Sequence, residues 1–467
     1  MSFTIKTHLE QPVQSNKVKK TEYNLIQVKG TWKRKVGKNF SQNLKGCGSA
    51  AKIYESTTEQ GTSWTVVSPI VFTYKVIQSQ GLLDPSNDTL LLGHIRDPEQ
   101  LEAIRSSTTP LRRFVVIDEI VYNLYGRQLI DYLQAFGAVY RILPLPTTEE
   151  NKSMELAMQI LEEVHKFSLD RRTEPIIAIG GGVCLDIVGL AASLYRRRTP
   201  YIRVPTTLLS YVDASVGAKN GVNFADCKNK LGSYVPPVAA FLDSSFLQTV
   251  PQRHISNGLA EILKMALMKH RGLFELLEIH GRFLLDSKFQ TQGLQGEDSE
   301  PASVCTRLAI ETMLEELAPN LWEDDLDRLV DFGHLISPEL EMKVLPSLLH
   351  GEAVNIDMSY MVYVARERGF LTEKDKIRII SCMVGLELPV WHQDCTLAMV
   401  QKSLCERLKH SGGFVRMPLP IGLGNAEIFN DTSDETLYKA YVRWCDELST
   451  KPPHIPNREH IIDVVDN

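Results

Sequence analysis

The stretch PIIAIGGGVCLDIVGLAASLY, residues 175–195, decides the fold. Its apolar run at 176–179 is typical of a strand buried on both faces of a sheet, and the apolar spacing of 183–195 predicts a helix. Between them lie Gly180, Gly181 and Gly182. A turn of this kind leaves bare backbone N–H groups at the helix start, where a dinucleotide pyrophosphate can bind. The spacing is not GxGxxG, so purely geometric glycines remain an alternative.

Strand and helix patterns alternate around this stretch. Residues 63–77 are rich in β-branched and aromatic residues and predict a strand. Residues 112–137 predict a strand, a turn and an amphipathic helix, 138–145 a further strand, and 150–169 another helix. Such alternation is typical of a parallel sheet with helices on both faces, a Rossmann-like arrangement.

The second half of the chain has a different pattern. Segments 255–281, 302–317 and 348–369 have the apolar period of helices, and the polar stretch 287–301 predicts a surface loop. We therefore predict an α/β protein with an N-terminal Rossmann-like parallel-sheet domain and a mostly α-helical C-terminal domain. The predicted boundaries are a basic, poorly ordered extension at 1–62, the Rossmann-like domain at 63–244 and the helical domain at 245–467.

Length and composition agree with this division. A chain of 467 residues, 43% apolar and 23% charged, is long enough for two domains of a soluble protein. No apolar run approaches the ~18 residues of a membrane span, and the N-terminus lacks the apolar core of a signal peptide, so we expect a cytoplasmic protein. Eight cysteines without a CxxC pair indicate reduced thiols.

The first 50 residues are basic, with ten Lys or Arg against two Glu, while the chain as a whole carries a net charge of −6. A basic tail can bind nucleic acid or an anionic surface, but a solvated extension is the commoner outcome for so polar a stretch. We expect neither nucleic acid nor a membrane as a partner.

Polar residues cluster in segment 203–234, which is otherwise small or apolar. Ammonium groups bind phosphate, and carboxylates or amides bind hydroxyls, so the cluster fits a phosphorylated polyol. A solvated basic loop explains it equally well. The residues concerned are Thr206, Thr207, Asp213, Lys219, Asn223, Lys228, Asn229 and Lys230.

A metal site is the sharpest chemical possibility. Glu261 and Lys264 share one helix face with apolar neighbours, and His334 and His350 lie sixteen residues apart. A catalytic zinc site needs three protein ligands, and Glu261 with the two histidines would supply them. A surface salt bridge and two structurally satisfied histidines are the alternatives.

Taken together, the motifs of residues 63–431 resemble the sugar phosphate cyclases of the dehydroquinate synthase superfamily. The motifs that carry the resemblance are IGGGVCLDIVG, PTTLLSYVDASVGAKNGVN, KNKLG, NGLAEILK, FGH and HGEAV. The resemblance implies that Glu261, His334 and His350 bind a divalent metal, zinc or alternatively cobalt. It also implies NAD as cofactor and a homodimer.

Further residues carry over position by position, as the resemblance implies. NAD is expected to contact Asp118, Glu149, Lys152, Gly181, Gly182, Asp186, Thr206, Thr207, Lys219 and Lys228. Substrate binding and catalysis are expected of Lys219, Lys264, Asp213, Asn229, Lys228, Asp331, His410 and Arg197. Of these, Lys228, Asn229 and Arg197 are expected around the phosphate, together with Lys409.

Three departures bear on the substrate. Pro338 stands where dehydroquinate synthases have a histidine, Asp331 where they have an asparagine, and Asp327 where they have an arginine. Losing cationic groups argues against an acidic sugar and favours a neutral heptulose phosphate. Within the superfamily the chain resembles the 2-epi-5-epi-valiolone synthases, which share Asp331 and His410. Desmethyl-4-deoxygadusol synthases have Ala and Thr there.

The resemblance implies a carbon–oxygen lyase acting on sedoheptulose 7-phosphate. NAD would oxidise the sugar transiently, phosphate would leave, the same hydride would return, and an intramolecular aldol reaction would give 2-epi-5-epi-valiolone. Alternatives are a desmethyl-4-deoxygadusol synthase, a 3-dehydroquinate synthase, a metal-dependent polyol dehydrogenase with net NADH formation, and a catalytically dead binding protein. The intact lysine and ligand set argues against the last two.

Overall fold

The computed structural model describes residues 25–28, 31–34, 52–58, 61–68, 70–225, 227–290, 300–430 and 434–449. The chain divides into two compact units, Met1–Thr73 and Tyr74–Asn467. In the first unit, antiparallel pairs form between β1 (Leu25–Val28) and β2 (Thr31–Arg34), and between β3 (Lys52–Thr58) and β4 (Gly61–Val67). These strands lie largely within the predicted extension, where no strand was expected; its other residues lie outside the described ones.

The second unit contains a six-stranded sheet in which every neighbouring pair is parallel. Its spatial order is β5 (Lys75–Ser79), β12 (Ala239–Asp243), β9 (Tyr201–Pro205), β8 (Ile176–Gly180), β6 (Arg112–Asp118) and β7 (Val139–Leu145). A separate antiparallel hairpin pairs β10 (Lys219–Phe224) with β11 (Cys227–Tyr234). The single strand predicted at 63–77 was wrong: β4 and β5 are separate strands in different sheets. The run contains a proline, which cannot donate a ladder hydrogen bond.

Helices cover the sheet and then form a layer of their own. The helices among the strands are α1 (Thr89–Leu92), α2 (Pro98–Arg105), α3 (Glu119–Ala135), α4 (Met154–Phe167) and α5 (Gly182–Leu194). The later helices are α6 (Gln252–Lys269), α7 (Arg271–Asp286), α8 (Glu300–Leu317), α9 (Ser337–Val344), α10 (His350–Glu367), α11 (Glu373–Gly385), α12 (Leu397–His410) and α13 (Asp434–Leu448). A short hairpin, β13 (Met417–Pro420) with β14 (Ala426–Phe429), lies between α12 and α13.

The long helix predicted at 255–281 is in fact two helices, α6 and α7. The backbone leaves the helical region at His270, with φ −137° and ψ 87°. The His270 imidazole then accepts a hydrogen bond from the backbone N–H of Leu273 and caps α7. Apolar periodicity continues across the break because both helices bury one face, so the period alone does not reveal the cap.

Alternate residues of the central strands pack into opposite layers. Phe114 and Val116 of β6 join one buried cluster, while Val115 and Ile117 join another on the opposite face. A third and larger cluster joins the helical layer to Leu242 of β12. The sheet and the helices therefore share buried contacts within the second unit. The α/β fold class is confirmed, while the boundary at residue 244 stays a prediction.

Helix α10 lies at the centre of the helical layer. Every residue from 351 to 365 is buried, as expected for a helix surrounded by protein on all sides. Its first residue, His350, is only partly buried. Among the described residues, none of the helices is long and apolar enough to span a membrane.

Candidate active site

The sheet order reverses at β6, the place where open α/β sheets usually have a crevice. From β6 the chain moves outward to β7 and returns to β8 on the other side of β6. Ligands of open α/β sheets bind outside the carboxyl ends of the strands at such a point. Asp118 ends β6 there. Its carboxylate accepts hydrogen bonds from the N–H groups of Ile120 and Val121, and the Thr147 hydroxyl also donates to it.

The glycine turn follows β8 at this place. Gly181 is the N-cap of α5, and no side chain of the described residues caps that helix start. A Cβ at Gly180 would lie 2.6 Å from the Cβ of Cys184, so the strand and the helix approach too closely for a side chain. Thr206 donates its backbone N–H to the Gly180 carbonyl at 3.0 Å, and Thr207 packs beside Gly181. Backbone N–H groups that no side chain caps, in a turn made of glycines, fit a pyrophosphate.

A charged pair stands beside the turn. The buried Lys152 ammonium lies 2.7 Å from an Asp186 carboxylate oxygen. Burial works against the charged form, but Asp186 and Glu149 outweigh it and raise the pKa of Lys152. Asn223 of β10 donates to Glu149 Oε1 at 2.9 Å and gives its backbone N–H to the Lys152 carbonyl. Three of the predicted nucleotide contacts, Glu149, Lys152 and Asp186, thus lie together, and Asn223 connects them by hydrogen bonds to the hairpin β10–β11.

Glu261, His334 and His350 form a compact cluster, with ligand atoms all within 4.8 Å of one another. Glu261 Oε1 lies 3.6 Å from His350 Nε2 and 4.0 Å from His334 Nε2, and it receives no hydrogen bond from the described residues. His334 Nδ1 lies 3.1 Å from the Phe332 carbonyl, so Nδ1 carries the proton and Nε2 presents its lone pair. This donor set fits a zinc-like ion with an open position.

Electrostatics agree with a metal site. Burial, followed by the charges of Lys264 and His350, holds the pKa of His334 well below its usual value, so the imidazole is neutral. Glu261 is 0% exposed and Lys264 2% exposed, and they form an ion pair. Burial opposes both charges, but mutual attraction lowers the pKa of Glu261 and raises that of Lys264. Asp213, on the π-helical turn Ser210–Ala214, also raises the Lys264 pKa.

The glycine of the HGEAV motif sets the position of His350. A Cβ at Gly351 would lie 2.0 Å from the Asn257 carbonyl oxygen of α6. The Gly351 N–H also donates to Asn257 Oδ1 at 2.6 Å. The first turn of α10 therefore rests directly on the helix that carries Glu261, which brings the two ligands together.

Gly351→Ala is expected to push α10 away from α6, destabilise the protein by about 1–3 kcal/mol and weaken metal binding. Denaturant unfolding and metal titration measure the two effects. Gly385→Ala is the matched control because its Cβ would meet nothing within 4 Å. Equal metal affinity in Gly351→Ala and wild type would show that the close contact does not position His350.

Glu341 is a site residue that the sequence did not reveal. Its carboxylate is 2% exposed; Oε2 lies 2.9 Å from His350 Nδ1 and Oε1 lies 2.5 Å from Lys228 Nζ. Burial opposes its charge, yet His350 and Lys228 hold its pKa far below the usual range. Glu341 therefore links a predicted metal ligand with a predicted substrate lysine.

A second ionic network lies around Asp331. Its Oδ2 accepts hydrogen bonds of 2.8 Å from both Arg328 and Arg407. Glu323 in turn contacts Arg328, accepts from the Tyr234 hydroxyl at 3.0 Å and lies 2.6 Å from Lys219 Nζ. Sequence reasoning missed Glu323, Arg328 and Arg407, and it assigned Asp331 to substrate. The structure gives the Asp331 carboxylate two arginine partners.

Asp331→Asn is expected to lower stability in a pH-dependent way. Burial opposes the charge, but Arg328 and Arg407 lower the pKa of Asp331 from 3.8 to about 2. A depressed folded pKa contributes stability that is complete above the unfolded value and lost as pH falls through the folded value. The difference from wild type should be about 2 kcal/mol at pH 6 and about 1 kcal/mol smaller at pH 3.

Urea unfolding of wild type and Asp331→Asn at the two pH values measures this difference. Asp324→Asn, an exposed carboxylate on the preceding loop, serves as control and should be nearly neutral at both. A stability difference that stays constant between pH 6 and pH 3 would contradict the arginine-held charge.

Arg197 lies apart from these clusters, whereas Asn229 borders one of them. Arg197 follows α5, which runs from the carboxyl to the amino ends of the strands over about 20 Å; next to it, Pro200 accepts from Ile176, the first residue of β8. Within one chain, the structure therefore does not bring Arg197 to the metal cluster, and its role as a phosphate contact stays a prediction. Asn229 is exposed, and its N–H donates to Asn223 Oδ1.

The other positions singled out in the sequence are Lys409, Asp327, Pro338 and His410. Lys409 is exposed and pairs with Glu406 at 2.6 Å, and Asp327 pairs with Arg416. Pro338 lies in the first turn of α9. His410 ends α12, and its side chain lies outside the described residues.

Comparison with known proteins identifies the family. A model described as 3-dehydroquinate synthase N-terminal matches residues 142–257, and one described as 3-dehydroquinate synthase C-terminal matches residues 258–410. The chain belongs to the 3-dehydroquinate synthase family. The resemblance seen in the sequence motifs is thereby confirmed.

Relatives within the 3-dehydroquinate synthase family are more specific. A 2-epi-5-epi-valiolone synthase of Streptomyces hygroscopicus subsp. jinggangensis (strain 5008) is 44% identical over 84% of this chain and 91% of its own length. One from Actinomyces sp is 47% identical over 79% of this chain and 94% of its own. The solved structure of ValA, a 2-epi-5-epi-valiolone synthase with NAD⁺ and Zn²⁺ bound, matches with a TM-score of 0.74 at 42% identity, covering 82% of this chain and 100% of that one.

Proposed function

We propose that this protein is a 2-epi-5-epi-valiolone synthase, a lyase that converts sedoheptulose 7-phosphate to 2-epi-5-epi-valiolone and phosphate. The observation that carries the proposal is the Glu261, His334 and His350 cluster beside the buried Lys264. This cluster occurs in a chain that is 44–47% identical to proteins of that name.

The residues fit both cofactors. Glu261, His334 and His350 would hold a divalent metal, zinc or cobalt, which supplies Lewis-acid stabilisation of an alkoxide or ketone oxygen. The uncapped start of α5, with Asp118, Lys152 and Asp186 around it, would hold NAD, which supplies a reversible hydride acceptor. Since the hydride returns to the same carbon, no NADH accumulates.

The protein's own side chains bind the sugar phosphate and stabilise its negative charge. Lys228 and Lys219 present ammonium groups to phosphate or hydroxyl oxygens, and Lys264 places a buried positive charge next to the metal ligand Glu261. Asp213 neighbours Lys264 and can accept from a sugar hydroxyl. In the leaving step, the C6 proton and the C7 phosphate depart together, and the phosphate itself can take the proton.

Charges around Asp331 support a neutral sugar rather than an acidic one. At the position of a family arginine stands Asp327, which is paired with Arg416. Arg328 and Arg407 both donate hydrogen bonds to the Asp331 carboxylate. The arginines of this region are thus already paired with carboxylates, so a substrate carboxylate gains little there.

We also propose that the enzyme acts as a cytoplasmic homodimer. Arg197 lies at the amino ends of the strands, away from its own metal cluster, so the phosphate contact expected from the family resemblance would need a second subunit. Analytical ultracentrifugation tests the dimer directly.

The decisive experiment supplies the purified protein, NAD and zinc with sedoheptulose 7-phosphate, and follows phosphate release, NADH absorbance and the carbon product. We expect phosphate and 2-epi-5-epi-valiolone in equal amounts, without net NADH. The 3-deoxy acidic heptulosonate phosphate is the control and should not react. Desmethyl-4-deoxygadusol as product, or accumulating NADH, would overturn the proposal.

A further inference from the structure

We propose that Glu341 is a positioning residue that couples the metal site to the substrate phosphate end of the active site. The inference rests on the proposed function for the identity of the substrate. The geometry points to it because one buried carboxylate uses a different oxygen for each of two functional side chains, His350 and Lys228.

The first arm of Glu341 acts through His350. Its Oε2 lies 2.9 Å from Nδ1, on the side of the ring opposite the Nε2 that faces Glu261 at 3.6 Å. Accepting the Nδ1 proton fixes the tautomer in which Nε2 carries a lone pair, and it also fixes the ring plane. Carboxylates in this position behind a ligating histidine contribute about 10–100-fold to metal affinity.

The second arm acts through Lys228. Oε1 lies 2.5 Å from its ammonium, which is partly buried and stands 3.1 Å from His350 Nδ1. Since Nδ1 already donates to Glu341, the lysine cannot also donate to it, and the carboxylate is its hydrogen-bond acceptor. Two of the three ammonium protons remain for other oxygens. Glu341 therefore orients the Lys228 ammonium and leaves two of its N–H donors available for substrate.

Helix α9 holds this carboxylate on its buried face. Glu341 lies on the buried face of α9 next to Leu340, whereas Glu339 of the same helix is partly exposed and pairs with Lys402 at 2.5 Å. A carboxylate that served only to join helices would not need to face both a metal-ligand histidine and a lysine of the β10–β11 hairpin. Its placement therefore favours a role in the site.

The test uses Glu341→Gln, which keeps the side-chain size. A glutamine can present its oxygen to the histidine or to the lysine. Its amide N–H₂ then faces the other group, which is also a hydrogen-bond donor, so that contact is unfavourable. We expect zinc affinity, measured by chelator competition without any sugar, to fall about 10–100-fold. The KM for sedoheptulose 7-phosphate should rise with zinc saturating. Glu339→Gln is the matched control and should leave both values unchanged.

A double variant separates the two arms. Lys228→Met should raise KM but leave zinc affinity within about threefold of wild type, because the His350 arm remains. Adding Glu341→Gln to it should lower zinc affinity as in the single variant while raising KM no further. Glu341→Asp retains the charge and should recover part of the loss in zinc affinity and part of the rise in KM. If circular dichroism shows Glu341→Gln to be unfolded, Glu341→Asp takes its place in the test.

The outcomes distinguish this inference from the proposed function. Zinc affinity in Glu341→Gln equal to that of wild type would overturn the coupling role, whatever the substrate. Additive effects of Lys228→Met and Glu341→Gln on KM would overturn the lysine arm. A wild-type protein that binds zinc but leaves sedoheptulose 7-phosphate unchanged would refute the function, while the zinc measurements would still decide the His350 arm.

Discussion

His350→Ala should abolish tight zinc binding and reduce turnover by about a thousand-fold or more. The substitution removes one of three ligand atoms that lie within 4.8 Å of one another. Metal ions contribute several kcal/mol of charge stabilisation to a transition state, and each 1.36 kcal/mol corresponds to a factor of ten in rate. The fold should persist, because His350 is the first residue of α10 and its side chain is only partly buried.

Zinc content after dialysis, phosphate release and thermal unfolding measure these effects separately. His165→Ala is the control: this histidine is exposed on α4, among the helices that cover the sheet, and its loss should change none of the three values. Zinc retained at full stoichiometry by His350→Ala would exclude the imidazole as a ligand. Undiminished phosphate release would exclude the metal from the reaction.

The fold class followed from local pattern, because β6 and β8 carry short apolar runs and helix α4 has a clear apolar face. The segment around Gly181 was decisive for the same reason: a strand, a glycine turn and a helix occur within about twenty residues. The errors lie where tertiary contacts end an element. The break at His270 is a side-chain cap, which apolar spacing does not reveal.

The ligand cluster was predicted through motifs rather than through geometry. Sequence spacing cannot show that α6, the turn at 329–334 and α10 meet, and it is the close contact of Gly351 with Asn257 that joins two of them. Glu341 and Arg407 were missed since a carboxylate or a guanidinium in an amphipathic helix usually faces solvent. Arg197 was placed in the site by motif position, although α5 carries the chain to the amino ends of the strands.

Lys264→Met should destabilise the protein strongly without metal and far less with it. In the metal-free protein, Glu261 is wholly buried and Lys264 is its ion-pair partner on the same helix. Removing one member of a buried pair leaves an uncompensated charge, at a cost of about 3–5 kcal/mol. A bound divalent ion would neutralise the same carboxylate, so most of this loss should vanish when zinc is present. Turnover should remain low in either case, since the proposed catalytic ammonium is gone.

Denaturant unfolding with chelator and with saturating zinc gives the two stabilities. Lys269→Met lies on the same helix, where the lysine pairs with Glu316 at a more exposed position. Exposed pairs contribute up to about 1 kcal/mol, so this control should show a small loss that is independent of zinc. An equal loss for Lys264→Met with and without zinc would mean that the ion does not contact Glu261. A loss of stability confined to the metal-free protein would instead show that the Lys264 ammonium and the metal ion neutralise the same Glu261 carboxylate. The shared carboxylate explains why a buried lysine can lie next to a metal site.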